Sequence, residues 1–264
     1  MTMLTEDVIL HTQSVLMRDI FNKIMDIAKS QEHVVIIGEI GAGKKQTARL
    51  IHKHSLQSNG PFQTFYCIDI DEGEFKDAFW EHILVDENHI SLAYDLLEKA
   101  GYGTLFLDQF SELTDEFMLG IIESYVKGCA QLFRYNQFAR PRLILSVNHE
   151  SYQKVKATGT WMSILHMINP VVIMLPPLRQ RLEDIPLLVK QFIADMKING
   201  DEWKELSISD EALNECKQYS WPGNIRQLKN AIIQGAILSH GKQIEGHHFP
   251  FSMKWKLPYR LHKD

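Results

Sequence analysis

The apolar positions of this chain switch between two spacings. Val34-Val35-Ile36-Ile37 is a continuous β-branched run that predicts a buried strand over 33–38. Ahead of it, Ser14 stands where a helix cap belongs. Val15, Leu16, Ile20, Phe21, Ile24 and Ile27 then recur at helical spacing up to about Ser30. Gln46 to His54 is amphipathic, Asn59-Gly60-Pro61 is a turn, and Phe62 to Ile70 predicts a second strand. Residues 71–101 are acidic and mixed, with helical pieces expected around 74–82 and 91–100. After Gly101-Tyr102-Gly103 comes Thr104-Leu105-Phe106-Leu107-Asp108, a short buried strand that ends in an acid. Phe117, Met118, Ile121, Ile122 and Tyr125 mark a helix, and Arg142 to Val147 a strand ending at Asn148. A helix near 160–168 and a strand at 170–175 complete the series. Strands alternating with helices predict a parallel α/β sheet.

Beyond Pro176-Pro177 the strand signals stop. Asp184 is expected to cap a helix from about Pro186 to Asn199-Gly200, and Ser209 to open a second that breaks at Trp221-Pro222-Gly223. Asn224 is expected to cap a third, running to about Ser239 before Gly241. The division expected is 1–177 for the α/β part, 178–248 for a small helical domain and 249–264 for a docking or flexible tail.

Composition narrows the class. The chain has 264 residues, 45% of them apolar and 23% charged, as in an ordinary soluble globular protein. A net charge of −5 argues against a nucleic-acid coat. The basic residues near the end, Lys254, Lys256, Arg260 and Lys263, read as a solvated end, and direct DNA binding is not expected. No apolar run approaches the roughly 18 residues that span a bilayer, so no membrane contact is expected. The first thirteen residues carry acids and no signal-peptide core, which points to a cytoplasmic protein. Cys67, Cys129 and Cys216 lie far apart and read as reduced thiols. His247-His248 reads as solvent-facing, not as a metal site.

The chemistry is concentrated between the first strand and the helix that follows. Gly38-Glu39-Ile40-Gly41-Ala42-Gly43-Lys44-Lys45, continued by Gln46, fits the phosphate-binding spacing G-x-x-x-x-G-K. Glycines let the backbone approach phosphates, the helix N-terminus contributes partial positive charge, and Lys44 a full one. Lys45 stands where that pattern usually has Ser or Thr. ATP or ADP is the expected ligand. Asp108, at the end of its strand, suits a Mg2+-holding acid. The next residue, Gln109, is an amide where hydrolysis calls for a carboxylate to draw the proton of the attacking water. Asn148 is placed to reach the γ-phosphate or its water.

These residues, with several stretches further on, resemble the AAA+ domain of bacterial sigma-54-dependent transcription activators. The likeness is carried by Gly38–Lys44, Thr47-Ala48-Arg49-Leu50-Ile51-His52, Pro61-Phe62 with Cys67, and Gly103-Thr104-Leu105-Phe106-Leu107-Asp108. It continues through Leu175-Pro176-Pro177-Leu178-Arg179-Gln180-Arg181 and Glu183-Asp184-Ile185-Pro186-Leu187-Leu188. Trp221-Pro222-Gly223-Asn224-Ile225-Arg226-Gln227-Leu228 completes it. The resemblance spans about residues 12 to 250. It implies a P-loop AAA+ core with a parallel five-stranded sheet sandwiched by helices, then an all-α lid. It further implies a ring with ATP at the subunit interfaces, Asn148 as the first sensor and Arg226 as the lid arginine that senses the phosphates. Lys45 falls where the family usually has an acid, so the missing hydroxyl is itself a family trait.

The departures from the family all touch hydrolysis or its output. The family's Asp-Glu pair is Asp108-Gln109 here, and the Asn that pairs with that Glu is Tyr66. By ungapped alignment the two arginines that reach into the next subunit fall on Trp161 and Met167. The sigma-54-contacting loop should lie near Val85 to Ile90, which bear no likeness to it. No helix-turn-helix is expected after the lid, because the chain ends at Asp264. The leading reading is a nucleotide-binding, hydrolysis-deficient relative acting through a protein partner, either an intact activator or further copies of itself in a ring. Two alternatives stay open: a slow but active ATPase that regulates transcription without the loop, and an interaction module with an empty site.

Overall fold

The computed structural model describes residues 12–69, 97–135 and 140–251. Five strands, β1 (Val34–Gly38), β2 (Phe62–Tyr66), β3 (Thr104–Asp108), β4 (Arg142–Asn148) and β5 (Val171–Met174), form one sheet in the order β2-β3-β4-β1-β5. Every pairing is parallel. The hydrophobic pattern explains the order. β1, β3 and β4 are nearly continuous apolar runs, and they hold the interior of the sheet, where both faces are covered. β2 and β5 are only half-buried and form its edges.

Around the sheet lie α1 (Val15–Lys29), α2 (Lys44–Lys53), α3 (Asp115–Tyr135), α4 (His149–Val155) and α5 (Gly159–Ile168). Phe117, Met118 and Ile122 of α3 and Trp161, Ile164 and Ile168 of α5 pack with Leu105, Leu107, Leu143, Leu145 and Val147 in one core. Each such side chain contributes about 1.5–3 kcal/mol by leaving water. The end of α1 is closed by a buried cation. Arg142 donates through Nη2 to the Ile27 carbonyl at 2.8 Å and through Nε to the Glu32 carbonyl at 2.8 Å. A guanidinium suits a helix C-terminus, where unpaired carbonyls concentrate negative charge. Burial lowers its pKa to about 10, which leaves it charged.

The chain forms two compact units. One comprises Asp19–Glu39 with Gly43–Leu175. The other comprises Ile40–Ala42 with the residues from Pro176 onward and those up to Arg18. This second unit is helical: α6 (Ile185–Asn199), α7 (Asp210–Gln218) and α8 (Asn224–Leu238) surround Leu188, Phe192, Trp221, Leu228, Ile232 and Phe249. The Trp221 indole N–H is satisfied inside by the Cys216 carbonyl at 2.7 Å.

Several local expectations change. The buried stripe of α1 is Met17, Ile24 and Ala28, while Val15 and Leu16 are 65% and 45% exposed. Spacings of seven and four keep that stripe on one helical face. β2 stops at Tyr66, because its partner β3 stops at Asp108. Cys67–Asp69 is a 3-10 turn. α4 was not expected, because none of its residues is buried and its sequence lacks an apolar stripe. Asp184 and Asn224 do not cap their helices with their side chains. Ser209 does cap α7, accepting from the Ala212 N–H at 3.1 Å. Two short parallel strands, β6 (Ser207–Ile208) and β7 (Gln243–Ile244), interrupt the helical unit. Phe249 is fully buried and Phe251 stacks on Tyr219 at 4.5 Å, so the start of the expected tail is part of the core. The helical pieces expected around 74–82 and 91–100 lie outside the described residues, except for 97–100, which are helical. No helix among the described residues is long and apolar enough to cross a membrane.

His33, just before β1, gives this fold a pH dependence. Its Nδ1 accepts from the Leu143 N–H at 3.2 Å, and its ring stands edge-on to Tyr125. Burial first, then the charges of Arg140 and Arg142, lower its pKa from 6.5 to about 4. The unfolded chain therefore takes up this proton before the folded one does. Stability is full above pH 6.5 and is lost as pH falls toward 4, by a contribution on the order of 3 kcal/mol. Thermal melts at pH 7 and pH 5 should show a fall in Tm in the native chain. That fall should be visibly smaller in His33→Gln, whatever the absolute stability of the variant.

Candidate functional site

A parallel sheet brings the carboxyl ends of all its strands to one edge, and ligands of such sheets bind there. Gly38 at the end of β1 lies in register with Asn148 at the end of β4, and Tyr66 at the end of β2 with Asp108 at the end of β3. The sheet thus gathers the start of the glycine loop, Asp108 and Asn148 without help from any loop.

Gly43 occupies the N-cap of α2 at φ 108°, a left-handed conformation that favours glycine. Lys44, the first residue of α2, turns back over the loop. Its ammonium donates to the Gly38 carbonyl at 2.8 Å and the Glu39 carbonyl at 3.0 Å. Lys45 follows, its ammonium 4.8 Å from the centre of the Tyr66 ring and hydrogen-bonded to the Tyr66 hydroxyl. Gln46 is half-buried on the same first turn.

Residues 40–42 belong to the helical unit, and their carbonyls are all taken there. Asn224 Nδ2 donates to Ile40 at 3.0 Å, the Ile225 N–H to Gly41 at 3.1 Å, and Arg181 Nη2 to Ala42 at 2.7 Å. Carbonyl oxygens facing a phosphate would repel it, so engaging three in succession favours anion binding by the loop. Asn224 bridges further, accepting from the Leu178 N–H at 2.7 Å. It adopts φ 52°, and this structural task replaces the capping role expected of it. Arg181 is buried, which lowers its pKa to about 10 against the opposing pull of Asp184. Asp184 accepts from Thr12 Oγ1 at 2.7 Å and from the Gln13 and Ser14 N–H groups at 2.8 and 3.2 Å, all on Oδ1. Arg226 is exposed on the first turn of α8. Its Cβ is 3.1 Å from where a side chain on Gly41 would begin.

One oxygen of Asp108 is held by two donors. Ser146 Oγ donates to its Oδ1 at 2.6 Å and the Gln109 N–H at 3.1 Å, while the same Gln109 N–H lies 2.9 Å from Ser146 Oγ. Gln109 sits at φ 59°, strained for a residue with a side chain. Asn148 caps α4: its Oδ1 accepts from the Glu150 N–H at 3.3 Å, and its own N–H donates to Ser111 Oγ at 3.0 Å. Burial, and then the charge of Asp108, push the Cys67 thiol far above its usual range, so Cys67 is no nucleophile. Among the described residues no group of three or more His, Cys, Asp or Glu is placed to hold a metal. The acid available to a Mg2+ that arrives with a nucleotide's phosphates is Asp108.

Trp161 is buried in the core of the α/β unit, its ring 6.0 Å from that of Tyr152, and Met167 packs against the same core. The exposed neighbour on α5 is Met162, at 58%. The residues expected to align with the sigma-54-contacting loop, 85–90, lie outside the described ones.

Sequence reasoning missed Ser146, Arg181 and Asp184 as site-shaping residues. Ser146 is the one hydroxyl inside the apolar stretch of β4, and a polar side chain in a strand buried on both faces calls for a buried partner. Arg181 and Asp184 are a cation and an acid three residues apart, both almost inaccessible to water.

Comparison with known proteins agrees with this geometry. A family model described as the sigma-54 interaction domain matches residues 10–157, and one described as the AAA+ ATPase lid domain matches residues 179–260. The transcriptional regulatory protein XylR of Pseudomonas putida is 31% identical over 82% of this chain and 38% of its own length. The regulatory protein AtoC of Escherichia coli K12 is 30% identical over 90% of this chain and 52% of its own. The chain spans about two fifths of the length of the first curated relatives it matches. Among solved structures, NtrX from Brucella abortus in complex with ADP superposes with a TM-score of 0.70. It is 25% identical and covers 94% of this chain and 56% of that one. NtrX in complex with ATP gives the same TM-score and identity over 91% of this chain.

Gly41 is the position where this arrangement is most exposed to mutation. It sits at φ 76°, and a Cβ there would come within 2.2 Å of the Gly223 carbonyl. Gly41→Ala combines left-handed strain with that collision and should cost about 2 kcal/mol or more. The check is a denaturant or thermal melt, in which the variant should unfold well before the native chain.

Proposed function

We propose, from the premise that this chain belongs to the sigma-54 interaction domain family of transcription activators, that it binds ATP or ADP and is impaired in hydrolysis. It then acts in transcription regulation through protein contact. The observation that carries this reading is the pairing of a complete phosphate loop with an amide at 109. Lys44 lies folded on the loop's own carbonyls, and Asp108 is held by Ser146. Bound phosphates would take the Lys44 ammonium from the Gly38 and Glu39 carbonyls, the loop amides would hold the β-phosphate region, and Asp108 would be the acid offered to a Mg2+ that came with them. Asn148 and Arg226 read the terminal phosphate. The domain limits we propose follow the sequence reading at 1–177 and from 178, with the helical domain running past the expected end at 248 to take in Phe249 and Phe251. The NtrX neighbours with ADP and ATP support the nucleotide.

Hydrolysis asks for more. The attacking water needs a proton acceptor, and the transferred phosphoryl group needs compensating charge. Gln109 orients water but does not take its proton. Removing one charged transition-state donor typically slows phosphoryl transfer by about 10³-fold or more. No cation replaces the trans arginines at 161 or 167, and Trp161→Arg would put a guanidinium into the core. The partner in this reading is an intact activator or further copies of this chain in a ring, in the cytoplasm, without direct DNA or membrane binding.

Mg-ATP should raise the Tm of the native chain, because a ligand that binds only the folded state stabilises it, by about 2.7 kcal/mol at 100 times Kd. Lys44→Ala should lose most of that shift. Superimposable melts of the native chain with and without Mg-ATP would overturn the nucleotide reading. Steady-state turnover should stay near background as protein concentration is raised, and Gln109→Glu alone should restore little. Robust, concentration-dependent hydrolysis by the native chain would favour the active-ATPase alternative.

A further inference from the structure

Lys45 and Tyr66 stand together at the end of the site where a P-loop protein keeps its metal. In that pattern the residue after the loop lysine is Ser or Thr, and its hydroxyl is a metal ligand. Here the position carries a cation. The Lys45 side chain runs from the first turn of α2 to the carboxyl end of β2, where its ammonium bonds the Tyr66 hydroxyl at the edge of the ring. Tyr66 is the register partner of Asp108 on the adjacent strand, and parallel neighbours lie about 4.8 Å apart. The ammonium and the phenol thus meet at the end of β2, the strand whose register neighbour ends in Asp108.

Fitted to Mg2+, this donor set is thin. Asp108 is the carboxylate, and its Oδ1 already takes two hydrogen bonds. The hydroxyl ligand is missing at 45, as the resemblance implies for its relatives, and here a positive charge stands where an acid is expected. Two cations close together repel, and each lowers the need for the other in neutralising phosphate oxygens. The phenol holds the lysine extended toward the end of β2, so it is positioned before any ligand arrives.

We infer that Lys45, positioned by Tyr66, supplies in cis the charge that Mg2+ supplies elsewhere, so that this chain binds nucleoside di- and triphosphates with little dependence on divalent metal. The inference rests on the nucleotide reading proposed above and adds to it which residue compensates the distal phosphates.

The test is calorimetric titration of the full chain with ATP, once in Mg2+ and once in EDTA. The native Kd should change by less than about 5-fold between the two buffers. Lys45→Gln, which keeps a long side chain and good helix propensity but no charge, should weaken binding by about 10-fold or more in EDTA and much less in Mg2+. Lys45→Ser, which returns a metal-binding hydroxyl, should also make binding metal-dependent. Tyr66→Phe keeps the ring and loses the hydroxyl, and should fall between native and Lys45→Gln. All variants are compared at equal folded fraction, checked by melting. Native binding that collapses in EDTA as far as that of Lys45→Ser overturns this inference and leaves nucleotide binding standing. No heat of binding in either buffer overturns both.

Discussion

Three consecutive backbone carbonyls in the phosphate loop must find donors, and the way they do so governs much else in this chain. Ile40, Gly41 and Ala42 are held by Asn224, the Ile225 N–H and Arg181. A loop of this kind presents amides to an anion only if its carbonyls are satisfied elsewhere, because an unpaired buried polar group costs about 1–3 kcal/mol. That requirement explains why Gly41 has no side chain. It also explains why Asn224 adopts a left-handed conformation and why a guanidinium lies buried at 181. Asp184 partly balances that guanidinium and at the same time anchors residues 12–14.

The second constraint is the covered sheet. Because β1, β3 and β4 are buried along their length, the polar groups at their ends are fixed by register, not by loop conformation. Asp108 inherits its place from β3 and its partner Ser146 from β4. Gln109 then turns sharply at positive φ, so the residue that would activate water sits on strained backbone tied to Asp108. In the proposed reading the site keeps the geometry of its relatives' core and changes the chemistry at its rim.

Much of this was legible in the sequence, and what was not has physical causes. The continuous β-branched run at 34–37 and the acid-terminated run at 104–108 announced their strands, and the glycine spacing announced the loop. The stripe of α1 was misjudged, because Val15 and Leu16 are apolar yet exposed, and one apolar residue more or less rotates the inferred face. α4 was invisible, since a short helix with no buried residue leaves no period to detect. Asn224 and Asp184 have the right side chains in the right place for caps, and a local rule assigns them so. Their actual partners lie 46 to 184 residues away in the chain and cannot be seen by any local rule. Trp161, the residue that alignment sets at a trans-arginine position, lies in the core. An aromatic on a helix that must cover the sheet belongs in the core.

The burial of Trp161 in one core and Trp221 in the other has a practical consequence. Indole emission shifts to longer wavelength when water reaches the ring, and each of these rings is sealed in a different unit. A chain keeping Trp161 alone reports the melting of the sheet, and one keeping Trp221 alone reports that of the helices. The two halves of this protein thus carry separate optical labels already written into the native sequence, and whether they come apart together or in turn is open to direct spectroscopic reading.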